Sequence, residues 1–168
     1  MNAIIRFALR ACTDPGSGVG QRSSMPTALR AALSHAQSLA LLLARLYVAK
    51  AFFLSGLTKL RDWETTLALF ESEYAVPLLS PELAAWLGTG GELILPVLLV
   101  LGLAGRFAAL GLSVVNVMAV LSLSDIAPAA LVGHQLWGVL LLAVALWGAG
   151  RWSLDAWLQR QFTPKAES

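Results

Sequence analysis

Four apolar runs, at about residues 39–60, 83–103, 107–124 and 130–149, constrain this chain more than any motif in it. Each is roughly 18 to 22 residues long, the length an α-helix needs to cross a hydrocarbon core of about 30 Å at 1.5 Å per residue. The connectors between the last three runs carry too little charge to clothe a soluble surface. The runs therefore read as four transmembrane helices, not as buried helices of a soluble all-α protein. Composition agrees: of 168 residues, 57% are apolar and 13% charged, with mean hydropathy +0.70, whereas soluble domains carry about one-quarter charged residues. The expected fold class is all-α, an integral membrane four-helix bundle with short interfacial helices.

Three parts follow along the chain. Residues 1–38 hold Arg6, Arg10, Arg22 and Arg30 around Asp14-Pro15-Gly16-Ser17-Gly18, without an apolar stretch long enough for a signal peptide. They are expected to be a basic, partly disordered segment, in which Ile4, Ile5, Phe7 and Leu9 are compatible with a short surface helix. Residues 39–149 form the bundle. Residues 150–168 set Trp152, Leu154, Trp157, Leu158 and Phe162 among Asp155, Arg160 and Lys165, the pattern of an interfacial helix and tail. Between the first two runs, Trp63, Leu67, Phe70 and Tyr74 recur at helical spacing with Glu64, Glu71 and Glu73 between them. This predicts a short helix on the membrane surface, lying over Lys59 and His134, after which Val76-Pro77 and Ser80-Pro81 turn the chain back. The arginines before run one, Arg106, and Arg151, Arg160 and Lys165 fall on one side, facing Lys59 and Arg61 among many acidic residues on the other. The positive-inside bias then puts both termini in the cytoplasm.

Charge and cysteine usage remove several function classes. A net charge of +2 and a pI near 9.0 come without any basic run interleaved with aromatics, so the sequence gives no nucleic-acid signal. The single cysteine, Cys12, excludes an internal disulfide and a CxxC redox pair. No haem-ligand pair, flavin motif or metal-ligand cluster is visible.

The polar residues inside the runs remain. Helical spacing puts Arg45, Ala49, Phe52, Gly56 and Lys59 on one face, then Gly88, Glu92 and Pro96, then Ala109, Ser113 and Asn116, then His134, Gly138 and Leu141. Each polar residue shares its face with small ones, as expected of faces where helices approach closely. Glu92, near the middle of its run, must be neutral, paired or hydrated. Arg45 is the expected partner by face, while Lys59 with Ser55 is expected to approach His134. Lys50 lies about 140° around the helix from Arg45, and either meets Glu92 as well or faces another subunit of a homo-oligomer.

Taken together, Arg45, the block Phe53-Leu54-Ser55-Gly56-Leu57-Thr58-Lys59-Leu60, Gly91-Glu92-Leu93 with Pro96, Gly102 and Arg106, His134 with Trp137, and Ser153-Leu154-Asp155 resemble the DoxX family of small four-helix bacterial membrane proteins. The resemblance covers roughly residues 40–158. It implies a bacterial inner-membrane protein related to the DoxD subunit of thiosulfate:quinone oxidoreductase, and hence electron delivery to the quinone pool. On that reading Glu92, His134 and Lys59 are the catalytic candidates, and Arg45, Ser55, Lys59, His134 and Trp137 would hold the quinone. Electrons would come from a soluble or membrane redox partner or from a small reductant. The competing reading is a non-catalytic membrane scaffold that recruits a soluble partner. A solute channel or exporter ranks third.

Overall fold

The chain turns wherever a cap or a proline interrupts the apolar runs. A computed structural model describes residues 26–162 apart from Ala75 and Ser124. It contains helices α1 (Thr27–Arg61), α2 (Trp63–Ser72), α3 (Pro81–Leu101), α4 (Gly105–Leu121), α5 (Pro128–Trp147) and α6 (Leu154–Phe162). The surface helix expected around Ile4 to Leu9 lies outside the described residues. Asp62 ends α1 and caps α2, its carboxylate accepting hydrogen bonds from the Thr65 amide at 3.0 Å and hydroxyl at 2.6 Å. Ser80 caps α3 with Pro81 in its first turn, and Pro128 opens α5.

One boundary differs from the sequence reading. α1 begins at Thr27, inside the segment expected to be partly disordered, and runs for 35 residues. The cause is local: beyond Pro26 the stretch Ala28 to Ala40 contains no glycine or proline and is rich in alanine and leucine, both strong helix formers.

Helices α1, α3, α4 and α5 close a ring, α1 and α4 each packing against α3 and α5, while α2 lies across α3 and α1. Contacts between Lys59 and Glu92 at one level, and Arg45 and Leu99 at another, show that α1 and α3 are antiparallel. The core is small and apolar: Val48, Ala49 and Phe52 of α1 meet Leu99, Ala108, Ala109, Leu112, Leu141 and Val144. Leu43, Ile94, Phe107, Val114, Val139 and Leu142 point outward instead. α1, α3 and α5 are long and apolar enough to cross a membrane, and α4 is a shorter apolar helix of 17 residues. An all-helical bundle with apolar residues both inside and outside is a membrane protein, because lipid and not water must solvate the outer face.

The two ends of the bundle differ. At the end holding Arg45, α3 stops at Gly102, whose left-handed φ of +64° and contact with the Arg45 guanidinium leave no room for a side chain. Arg45, fully buried, donates to the carbonyls of Leu99 at 3.3 Å and Val100 at 3.5 Å, and to Trp152 at 2.7 Å. A cation thereby satisfies the orphan carbonyls at the C-terminus of α3. Opposite it, Asp155 accepts from the amides of Ala104 and Gly105, both at 2.9 Å, and caps the N-terminus of α4 from far along the chain.

Candidate functional site

The other end holds Lys59 and Glu92. Each Cα–Cβ bond in a helix tilts toward its own N-terminus. In antiparallel α1 and α3 this directs Lys59 down into the bundle and Glu92 up toward it. The two meet at 2.5 Å, Lys59 Nζ to Glu92 Oε2, and Nζ also donates to Ser55 Oγ at 3.2 Å. Gly56 makes the approach possible, since a Cβ there would lie 2.9 Å from the Leu93 side chain and 3.2 Å from Glu92 Cβ. Pro96 deprives the Glu92 carbonyl of its helical donor, which loosens α3 one turn below the carboxylate.

The partner of Glu92 is therefore Lys59, which corrects the expected pairing with Arg45. The same tilt that brings Lys59 to Glu92 carries Arg45 away from it, toward the opposite end of the bundle. Lys50 does not meet Glu92 either; it is exposed on the face of Leu43, Leu46 and Leu54.

Lys59, Glu92, Ser55 and His134 line one cavity of about 390 Å³. Phe70, Tyr74 and Val76 form its roof, and Val115, Met118 and Ser122 of the α4 region face it from across the bundle. The expected short helix over Lys59 and His134 is thus present, with Phe70 and Tyr74 stacked edge to face at 4.9 Å. Leu87 of α3 and Val114 of α4 also line the cavity, yet are 56% and 63% exposed. Their exposure means that the cavity opens sideways, between α3 and α4, onto the lipid-facing surface. The volume falls in the range of small-molecule sites, about 300 to 1,000 Å³, and so does the pattern of apolar walls with a few convergent polar groups.

His134 is held by α4. Asn116 donates through Nδ2 to the His134 carbonyl at 2.9 Å, and its Oδ1 lies 2.8 Å from His134 Nδ1. Trp137 does not line the cavity; it stands edge-on to both His134, at 5.0 Å, and Phe52, at 5.5 Å, and backs the imidazole from the core. Burial, then the negative charges of Glu73 and Glu92, push the Tyr74 phenol above its ordinary pKa. Tyr74, part of the cavity lining, therefore keeps its phenol protonated at neutral pH.

Of the candidate residues, Lys59, Glu92, Ser55 and His134 come together here, Trp137 supports them, and Arg45 lies at the other end. Tyr74 was expected over Lys59 and His134 and lines the cavity with Phe70, whereas Asn116 belongs to the site without having been given a role from sequence. The signal for Asn116 was present, because an amide in a transmembrane run must find partners inside the protein. A second, polar cavity of about 290 Å³ at the Arg45 end is lined by Gln37, Arg106, Arg151 and Gln159.

Comparison with known proteins covers the blocks from Arg45 to Arg106 but not His134, Trp137 or Ser153-Leu154-Asp155. The sequence pattern of the DoxX family matches residues 40–125, just over half of the chain, from the start of the bundle portion of α1 to the turn after α4. Neither a curated protein nor a solved structure matches the chain. The matched stretch contains Arg45, Ser55, Lys59 and Glu92, and so both the buried arginine and the ion pair of the cavity; the chain belongs to the DoxX family.

Proposed function

We propose that the chain is the membrane subunit of a quinone-linked oxidoreductase system, and that its lateral cavity binds the quinone headgroup. The observation that carries this reading is the convergence of the Lys59–Glu92 pair and His134 on one cavity whose mouth lies on the lipid-facing surface. A ligand that partitions in the bilayer reaches such a mouth without passing through water. The residues present fit the group: an aromatic ring against Phe70, Leu87, Val114 and Met118, and its oxygens near Lys59 and His134. When bound, a quinone supplies a two-electron, two-proton acceptor, the electrons coming from a partner protein or a small reductant.

The chain's own residues then have distinct tasks. Lys59 has three N–H donors, of which Glu92 and Ser55 take two, leaving one for a ligand oxygen. The Lys59–Glu92 ion pair lies in a low-dielectric site, where charge-assisted hydrogen bonds are strongest. Glu92 Oε1 and His134 Nε2 are the atoms at which protons are held or released, and the apolar walls keep bulk water out. In this reading the protein sits in the bacterial cytoplasmic membrane with both termini inside, and the cavity near the outer face.

Lipids extracted from the purified protein should contain quinone in amounts comparable to the protein. Glu92→Gln should leave a folded protein that retains little quinone-linked activity. Absence of quinone, together with wild-type function in a stable Glu92→Gln protein, would instead favour the scaffold reading.

A further inference from the structure

The two hydrogen bonds between Asn116 and His134 determine more than the ring's position. The amide nitrogen of Asn116 can only donate, and it faces the His134 backbone carbonyl, which can only accept. That contact fixes which way the amide points, so the atom facing Nδ1 is Oδ1, again an acceptor only. A hydrogen bond between Oδ1 and Nδ1 then requires the proton on Nδ1. In the neutral ring Nε2 is left with a lone pair and no hydrogen, because the partner of one ring nitrogen sets the state of the other. Among the described residues no group bonds to Nε2, and it is not among the buried polar atoms left without a partner. It therefore keeps accessible surface on a side chain that lines the cavity.

We infer that Asn116 is a positioning residue that holds His134 as its Nδ1–H tautomer, so that Nε2 accepts a hydrogen bond from a hydroxyl of the ligand. The inference rests on the cavity being the ligand site, and it narrows the ligand class. The cavity then offers one fixed donor, the third N–H of Lys59, and one fixed acceptor, Nε2. A headgroup with two hydroxyls satisfies both, accepting from Lys59 at one oxygen and donating to His134 at the other. A headgroup with two carbonyls satisfies Lys59 but leaves Nε2 facing a second acceptor. The site is thus built to hold the hydroxyl-bearing, reduced form of the ring more tightly than the oxidised form. This sets the direction in which a completed reaction leaves the cavity: the product is the tighter-held species until its hydroxyl proton or the His134 contact is lost.

The tautomer can be read without any ligand. Nitrogen-15 spectra of the histidine-labelled full chain at about pH 8, where an ordinary imidazole is neutral, should show His134 with a protonated Nδ1 and a bare Nε2. The exposed His35, the only other histidine, serves as the internal reference and is assigned with His35→Gln. A protonated Nε2 on His134 would overturn the inference whatever binds in the cavity. Titration with a short-chain benzoquinol under anaerobic conditions, and with the matching benzoquinone, gives the second reading. The quinol should bind about tenfold tighter. That preference should vanish in Asn116→Leu, which releases the tautomer. Equal affinity for the two forms, with the tautomer as inferred, would overturn the assigned ligand class. Binding of neither, with the tautomer as inferred, would overturn the quinone reading of the cavity while leaving Asn116 as the residue that orients His134.

Discussion

A carboxylate inside a membrane selects its cation by the direction of the side chain as much as by depth. Glu92 was legible from sequence as a group needing an answer, and Lys59 and His134 as neighbours near one end. What depth and helical face alone did not give was the lean of each side chain, which in antiparallel helices turns Lys59 and Glu92 toward each other and Arg45 away. Removing the lysine leaves a nearly buried carboxylate, 8% exposed, without its cation. Lys59→Met should therefore destabilise the protein by up to about 3–5 kcal/mol, the cost of breaking a buried pair, reduced because Lys59 itself is 21% exposed. Glu92→Gln should cost less, since the amide still accepts from Lys59. Thermal unfolding in detergent should show Lys59→Met combined with Glu92→Leu recovering part of the loss; strictly additive losses would mean that the two residues are not coupled. By the same logic Arg45→Ala and Glu92→Gln should be additive, because their side chains share no partner.

At the scale of helices, the turn at Ser80-Pro81 was legible and Pro81 opens α3, whereas Asp62 and Pro128, which begin α2 and α5 as their chemistry requires, were not read as helix starts. The start of α1 was less legible than that turn, because a net of scattered arginines looked like a tail while the local propensity from Thr27 onward was helical. The cap of α4 was not legible as a cap, since its carboxylate comes from Asp155, fifty positions later and from a different helix. Asp155→Ala should lower stability by roughly 1–2 kcal/mol, the usual size of a lost N-cap, and hydrogen exchange should locate the loosening in the first turn of α4. α2 responds to acid through Asp62, whose carboxyl lies below its ordinary pKa because the side chain and then the backbone of Thr65 bond to it. A folded value below the unfolded one gives stability that is present above the unfolded pKa, about 3.9, and is lost as pH falls through the folded value. Protection of the α2 amides, taken relative to intrinsic exchange, should therefore fall below about pH 4. Asp62→Asn should show lower protection throughout and little further change with acid.

For the whole molecule, the apolar runs made the bundle readable, because length and hydropathy decide what can cross a membrane. The lateral cavity was not readable, since an opening between α3 and α4 depends on how far two helices diverge and not on any one residue. Orientation is testable with the chain intact. After replacement of Cys12, single cysteines at Thr27, Ser72 and Gln161 should react with an impermeant thiol reagent on intact cells only at Ser72. Labelling at Thr27 or Gln161 but not Ser72 would invert the topology, and would move the mouth of the cavity to the cytoplasmic side.

The knot at the Arg45 end also sets a calendar for biosynthesis. Chains emerge from the ribosome and fold from the N-terminus onward, yet Arg45 in α1 donates its shortest hydrogen bond to the carbonyl of Trp152, and α4 is capped by Asp155. Until Trp152 and Asp155 have been synthesised, the protein is therefore a set of inserted helices with an arginine lacking its final acceptor and a helix lacking its cap. A few residues after α5 act as a latch, closing the Arg45 end only once Trp152 and Asp155 have been made.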